Sequence, residues 1–285
     1  MSSARNGRLW AAIAVLAAIA LAAGVFIGTH LGPRRTAPER SSAATSLAAE
    51  FARLEPGLHA VVGIALSGVG PGQEPLTLGE WQSGPAWSTI KVPLIIAALR
   101  EEQPPRVTEA MTAAITESDN AAAESIWDSL GTPADAAAKV EAVLRQTGDP
   151  TIVQSHRVRP EFSASGQTDW PLADQVKFTA VAVCDTANDP VFGLMGRVEP
   201  EQRWGIGTLA DSRLKGGWGP SPTGGYLVRQ IGVLNTPAGM VSVALAALPD
   251  SGRFEDGTAA LTTMAAWLSQ RLGALPAGHC PAHQR

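Results

Sequence analysis

The first apolar segment along the chain differs from every later one. From Leu9 to Gly28, "LWAAIAVLAAIALAAGVFIG", twenty residues run without a charge, enough helix to cross a bilayer core of about 30 Å. Arg5 and Arg8 precede it. Residues 1–8 therefore read as a basic flank and 9–28 as a membrane anchor or a cleaved signal segment, the small residues of "AIALAAG" leaving both open. Either reading puts the remaining chain outside the cytoplasmic membrane, tethered by a single pass or secreted. No Cys follows the run, which excludes a lipoprotein anchor. Residues 29–44, polar and Pro-containing, read as a linker, and the folded domain is expected over 45–285.

Within that domain the period of the pattern changes twice. "LAAEFARLE" has helical spacing, "HAVVGIALSG" reads as a buried strand and "PLTLGEW" as a second strand. The next hundred residues are helical in pattern, with candidates at Ser88–Glu101, Val107–Thr116, Asn120–Ser129, Pro133–Gln146 and Leu172–Asp185. Strand character returns in "SRLKGGW", "GYLVRQIGVLN" and "GMVSVALAAL", and the amphipathic "GTAALTTMAAWLSQRLGAL" closes the domain. Strands at both ends and helices between them predict an α/β (α+β) fold. One antiparallel sheet is made from both chain ends and flanked by helices, with an all-helical subdomain inserted at about 88–200.

Composition narrows the function. A net charge of −4 with no basic cluster gives no footprint for nucleic acid. No pair of His or Cys has ligand spacing, so no metal is expected, and no cofactor is expected either. The two cysteines, Cys184 and Cys280, suit an exported chain as one disulfide tying the tail to the body; two unpaired thiols are the alternative. Only four lysines (Lys91, Lys139, Lys177, Lys215) stand against eighteen arginines. A lysine kept in an apolar setting can do what arginine cannot, which is give up its proton near neutral pH.

Lys91 is such a lysine. In Ser88-Thr89-Ile90-Lys91, serine and lysine three apart at the head of an apolar helix share a face, so hydroxyl and amine can meet. A serine hydroxyl needs a base beside it to act as a nucleophile. Ser212-Arg213-Leu214-Lys215 repeats the pattern, but in a strand context. Ser118-Asp119-Asn120 lies in a turn between two helix candidates, where all three residue types are also good caps. Lys215-Gly216-Gly217 lies on a late strand.

In this order the three motifs resemble the Ser-x-x-Lys, Ser-Asp-Asn and Lys-Thr-Gly set of class A β-lactamases and penicillin-binding proteins. The resemblance spans about residues 45 to 272. It implies an exported serine hydrolase acting on a small-molecule or peptidoglycan-derived substrate. Ser88 would be the acylated nucleophile, Lys91 its base and Ser118 a proton relay. Asn120 would hold the substrate amide, and Lys215 would supply charge for a substrate carboxylate and depress Lys91. Gly217 and Trp218 would border the substrate, with the backbone N–H groups of Ser88 and Trp218 forming the oxyanion hole. The oligomeric state is left open.

Three departures qualify the likeness. Gly216 stands where the family has a hydroxyl residue. Gln154 falls where class A enzymes carry the glutamate that activates the deacylating water, and Glu161, the nearest carboxylate in the same loop, is displaced along it beside Arg157 and Arg159. Only 30 residues separate Ser88 from Ser118, so the helical lobe is trimmed. Acylation is therefore expected, with weak β-lactam turnover. The rival is a pseudoenzyme, a non-catalytic binding protein that keeps the pocket. A Ser-His-Asp hydrolase has little support, because His30, His279 and His283 lie in the spacer and tail, His59 starts a strand and His156 sits in the loop.

Overall fold

The computed structural model describes residues 37–221 and 224–282. The segment 9–28, predicted as an anchor or signal, lies outside the described residues. Among the described residues no helix is long and apolar enough to cross a membrane.

Chain order is α1 (Ala37–Leu54), β1 (Ala60–Gly68), β2 (Leu76–Leu78), α2 (Lys91–Glu101), α3 (Glu109–Thr116), α4 (Asn120–Ser129), α5 (Pro133–Gln146), α6 (Leu172–Ala182), α7 (Asp189–Met195), β3 (Arg213–Pro220), β4 (Tyr226–Thr236), β5 (Gly239–Pro249) and α8 (Phe254–Ser269). The five strands form one antiparallel sheet in the order β2-β1-β5-β4-β3. The first and last thirds of the chain thus meet at the β1–β5 pair, where Ala60 faces Pro249 and Gly68 faces Val241. The mixed fold with a helical insertion is as the pattern predicts.

Two differences stand out. Residues 37–44, read as linker, belong to α1. The helix at Asp189–Met195 was not anticipated, because its seven residues, with Pro at the first turn and Gly inside, carry too little periodicity.

The sheet separates two apolar clusters. One face holds Ala65, Ile231, Ala244 and Ala246 against the inserted helices and α6. The other holds Ile64, Val228, Val243 and Leu245 against Leu47 and Phe51 of α1 and Leu261, Met264 and Leu268 of α8. Alternation along β1 and β5 delivers one residue to each side in turn.

The insertion's helices start at local signals. Thr108 caps α3 through Met111 N, and Asp119 caps α4 through Ala122 N. Thr132 and Asp135 form a capping box on α5 with Pro133 behind it. A loop, residues 147–171, then returns beneath α4 to α6.

Cys184 and Cys280 form a disulfide, their Cα atoms 5.1 Å apart and 96 residues distant in sequence. It fastens the tail, whose Gly278 bridges Met240 at the start of β5. Because the bond closes a long loop in the unfolded chain, the double variant C184S/C280S is expected to lose about 2–4 kcal/mol of stability. Denaturant unfolding of oxidised wild type and variant measures it.

Candidate active site

Ser88 sits in a 3-10 turn, Trp87–Ile90, immediately before α2, with Lys91 as the first residue of the helix. The turn is reached through unusual backbone: Trp87, just before the serine, has φ +48°. A left-handed non-glycine residue costs on the order of 1–2 kcal/mol, so its surroundings must hold it there. They do so in several ways. Ala86 N donates to Thr168 O (2.7 Å) and Trp170 N to Gly84 O (3.0 Å), pairing the approach to Ser88 with the end of the 147–171 loop. The Trp87 indole is buried edge-on against Phe162 at 5.0 Å. Thr89 Oγ1 donates to Ala86 O (2.6 Å) and accepts from Gln175 Nε2 (3.0 Å).

Behind this segment lies Arg229 of β4, fully buried. Its guanidinium donates to Gly84 O, Pro85 O and Trp170 O, all at 2.8 Å, and lies over the Trp81 ring. Burial depresses its pKa to about 9, which leaves it charged at neutral pH. Its direct partners are three carbonyl oxygens, and the charge of Asp169 also favours the cation. The signal was present in sequence, since an arginine inside the apolar run "YLVRQIGVL" is out of place unless something buried requires it.

Lys91 is buried, and its Nζ donates to Ser118 O (2.6 Å), Asn120 Oδ1 (2.8 Å) and Asp119 O (3.2 Å), with Ser118 Oγ at 3.5 Å. The Ser118–Asn120 turn is therefore wrapped around the ammonium, and Ser118 itself has φ +59°. Lys215 is wholly buried and donates to the same Ser118 Oγ (2.8 Å) and to Gly216 O (2.8 Å). Burial lowers the pKa of Lys91 from 10.5 to about 8, while the charges of Asp119 and Glu124 pull the other way. Lys215 is pushed well down by burial and by the charge of Lys91. Among the described residues the Ser88 hydroxyl forms no hydrogen bond, and the helical spacing brings Lys91 to the second motif instead.

β3 is the sheet edge, so its outer N–H and C=O groups have no strand partner. A Cβ at Gly217 would lie 2.9 Å from Ser88 N and 3.0 Å from Ala86 O, so only glycine lets the strand come this close to the serine's turn. Alternation then sends Gly216 and Trp218 to the opposite face. There the Trp218 indole packs on Trp204 (6.1 Å) and Phe254 (5.4 Å), away from Ser88, leaving its backbone as the part that borders the site. A Cβ at Gly216 would be 3.0 Å from the Trp204 ring, so a side chain there would crowd the edge of that indole.

No protein-family model matches the sequence, and neither does any curated protein. Solved structures do match. A class A β-lactamase from Mycobacterium abscessus is similar with a TM-score of 0.63 at 16% identity, over 79% of this chain and 99% of that one. An ancestral (GNCA) class A β-lactamase gives 0.60 at 20%, over 79% and 99%. The TLA-3 extended-spectrum β-lactamase gives 0.60 at 15%, also over 79% and 99%. The chain has the class A β-lactamase fold.

In this β-lactamase fold the two loop residues singled out from the sequence are held by partners within or beside the loop. Glu161 is 59% exposed and pairs with Arg159 (3.6 Å), which itself donates to Pro220 O (2.6 Å). Gln154 is tied into its loop, its N donating to Thr168 Oγ1 and its Oε1 accepting from His156 N. His156 is exposed and shares a hydrogen bond with Ser155. The second Ser-x-x-Lys is structural at its serine: Ser212 is buried and accepts from Arg203.

Replacing Arg229 by Gln strands carbonyls on both segments that frame the serine. R229Q is expected to lower stability by about 3–4 kcal/mol, the loss of charged hydrogen bonds less the relief of a buried cation. Equilibrium denaturation reads this out.

Proposed function

We propose that the chain is an exported active-serine acyl hydrolase of the β-lactamase and penicillin-binding superfamily, acylated at Ser88 by a β-lactam, peptide or ester. The observation that carries this reading is the convergence of two buried lysines on one hydroxyl, Ser118 Oγ, beside the turn that presents Ser88. A purely structural site has no use for two amines forced together without a carboxylate between them.

The chemistry follows from the geometry. Lys91 is the base: deprotonated, it keeps two N–H donors and gains a lone pair, so one of its contacts to the Ser118 turn is released to receive the Ser88 proton. Ser88 Oγ then forms the ester with the acyl carbon as the donor's C–N or C–O bond breaks. Ser118 passes a proton to the leaving atom and is replenished by the ammonium groups around it. The substrate lies along the open edge of β3, where the N–H groups of Ser88 and Trp218 stabilise the oxyanion. Asn120 holds the substrate amide. Lys215, being wholly buried, acts on a substrate carboxylate through its field and through Ser118 rather than by direct contact.

Export rests on the apolar segment at 9–28 and is supported by the Cys184–Cys280 disulfide, a bond of oxidising compartments. The indole beside Gly216, where the family has a hydroxyl residue, and the exposed Glu161 favour slow turnover of β-lactams. They also favour the second reading, a binding protein without turnover.

Intact-mass analysis of the full-length chain with a fluorescent penicillin separates these readings. A one-to-one adduct is expected on wild type and none on S88A; no adduct on either leaves the binding-protein reading. The rate of adduct formation is also expected to depend on pH. Lys91 works as the neutral amine and its pKa is lowered to about 8, so the rate should rise roughly tenfold per pH unit below that value and level off above it.

A further inference from the structure

A hydrolase must release its acyl group; Gln154 has no carboxylate to serve as a base, and Glu161 is 59% exposed and paired with Arg159. The other carboxylates flanking the site are committed. Asp119 accepts from Ala122 N (2.7 Å) as the cap of α4. Asp149 is buried and accepts from Thr151 N and Trp170 Nε1. Asp169 accepts from Ser83 Oγ.

Glu124 is paired as well, but from the helix face that carries Asn120 and with a partly exposed side chain. It lies on α4 one turn beyond Asn120, and residues i and i+4 share a helix face. Asn120 on that face reaches the Lys91 ammonium at 2.8 Å. The side chain of Glu124 is 34% exposed, open to water without being free of the protein. Its partner is Arg157, which crosses from the 147–171 loop at 2.7 Å, so the carboxylate is held where that loop meets α4. Glu124 is also close enough for its charge to act on Lys91.

Building on the acyl-hydrolase reading above, we propose that Glu124 is the general base of deacylation, supplied from helix α4 in place of a loop glutamate. In that step a water oxygen bonds to the acyl carbon of the Ser88 ester while the Glu124 carboxylate takes the water proton. The tetrahedral intermediate collapses by breaking the bond from the carbon to Ser88 Oγ. The proton passes back to that oxygen, giving the free acid and the resting serine. Arg157 orients the carboxylate, and its half-exposed side chain leaves room for water to enter.

The test labels the full-length chain with a fluorescent penicillin and then chases with unlabelled penicillin, so that formation and loss of the adduct are timed separately. For E124Q, formation is expected to match wild type or run slightly faster, since a charge that keeps Lys91 protonated is gone. Loss is expected to slow about 100-fold or more, the usual range for removing a general base. E124D, which keeps the carboxylate, should recover part of the release rate, and E161Q should leave both rates unchanged. Release from E124Q at the wild-type rate overturns the role of Glu124 while leaving acylation at Ser88 intact, as does slow release from E161Q alone. Absence of a Ser88-dependent adduct on wild type, with penicillin and with activated phenyl esters, overturns the acyl-hydrolase reading and this inference together.

Discussion

Two primary amines share one hydroxyl in a largely buried space. Lys215 has no exposed surface and Lys91 almost none, and both approach Ser118 Oγ. Removing an ammonium from water disfavours its charged form, and a second ammonium nearby disfavours it further. The pair therefore cannot be comfortable fully protonated. The fold resolves the conflict with carbonyl oxygens and one amide, which bind an amine in either state. Carboxylates would have pinned both lysines as cations. That choice of partners is what keeps a basic lone pair within reach at neutral pH.

The rest of the site serves to keep this arrangement rigid. Ser118 adopts left-handed backbone because its carbonyl and hydroxyl are both claimed by lysines. Trp87 adopts it because its indole is wedged against Phe162 while the chain before it is fixed by Arg229 and by residues 168–170. Strain of this kind persists only when its surroundings over-determine it. Three buried basic side chains, Lys91, Lys215 and Arg229, thus hold the three chain segments that meet at Ser88.

Much of the fold was legible because its signals are local. Alternation in "GYLVRQIGVLN" and "GMVSVALAAL" marks strands, and caps such as Thr132 with Asp135 mark helix starts. The order of Ser88, Lys91, Ser118 and Lys215 was legible for the same reason, since lysine is scarce enough here for each one to be informative. Legibility failed where an answer depends on what lies across space. The sequence of α4 shows Glu124 one turn from Asn120 but not the arginine that holds it. Gly216 could be seen to lack a hydroxyl, though not that the ring of Trp204 crowds the position. For Trp218 the indole and the backbone part company, the ring packing on Trp204 and Phe254. Its neighbour Gly217 faces the serine, and strand alternation turns the indole to the far side.

The packing of Trp204 on Gly216 also couples an edge-strand position to a cluster of aromatic rings. A side-chain hydroxyl at position 216 would place a Cβ against an indole that is itself stacked on Trp218 and Phe254. A side chain there fits only if the far edge of the ring gives by a few tenths of an ångström, so position 216 answers to how far the whole aromatic stack can shift.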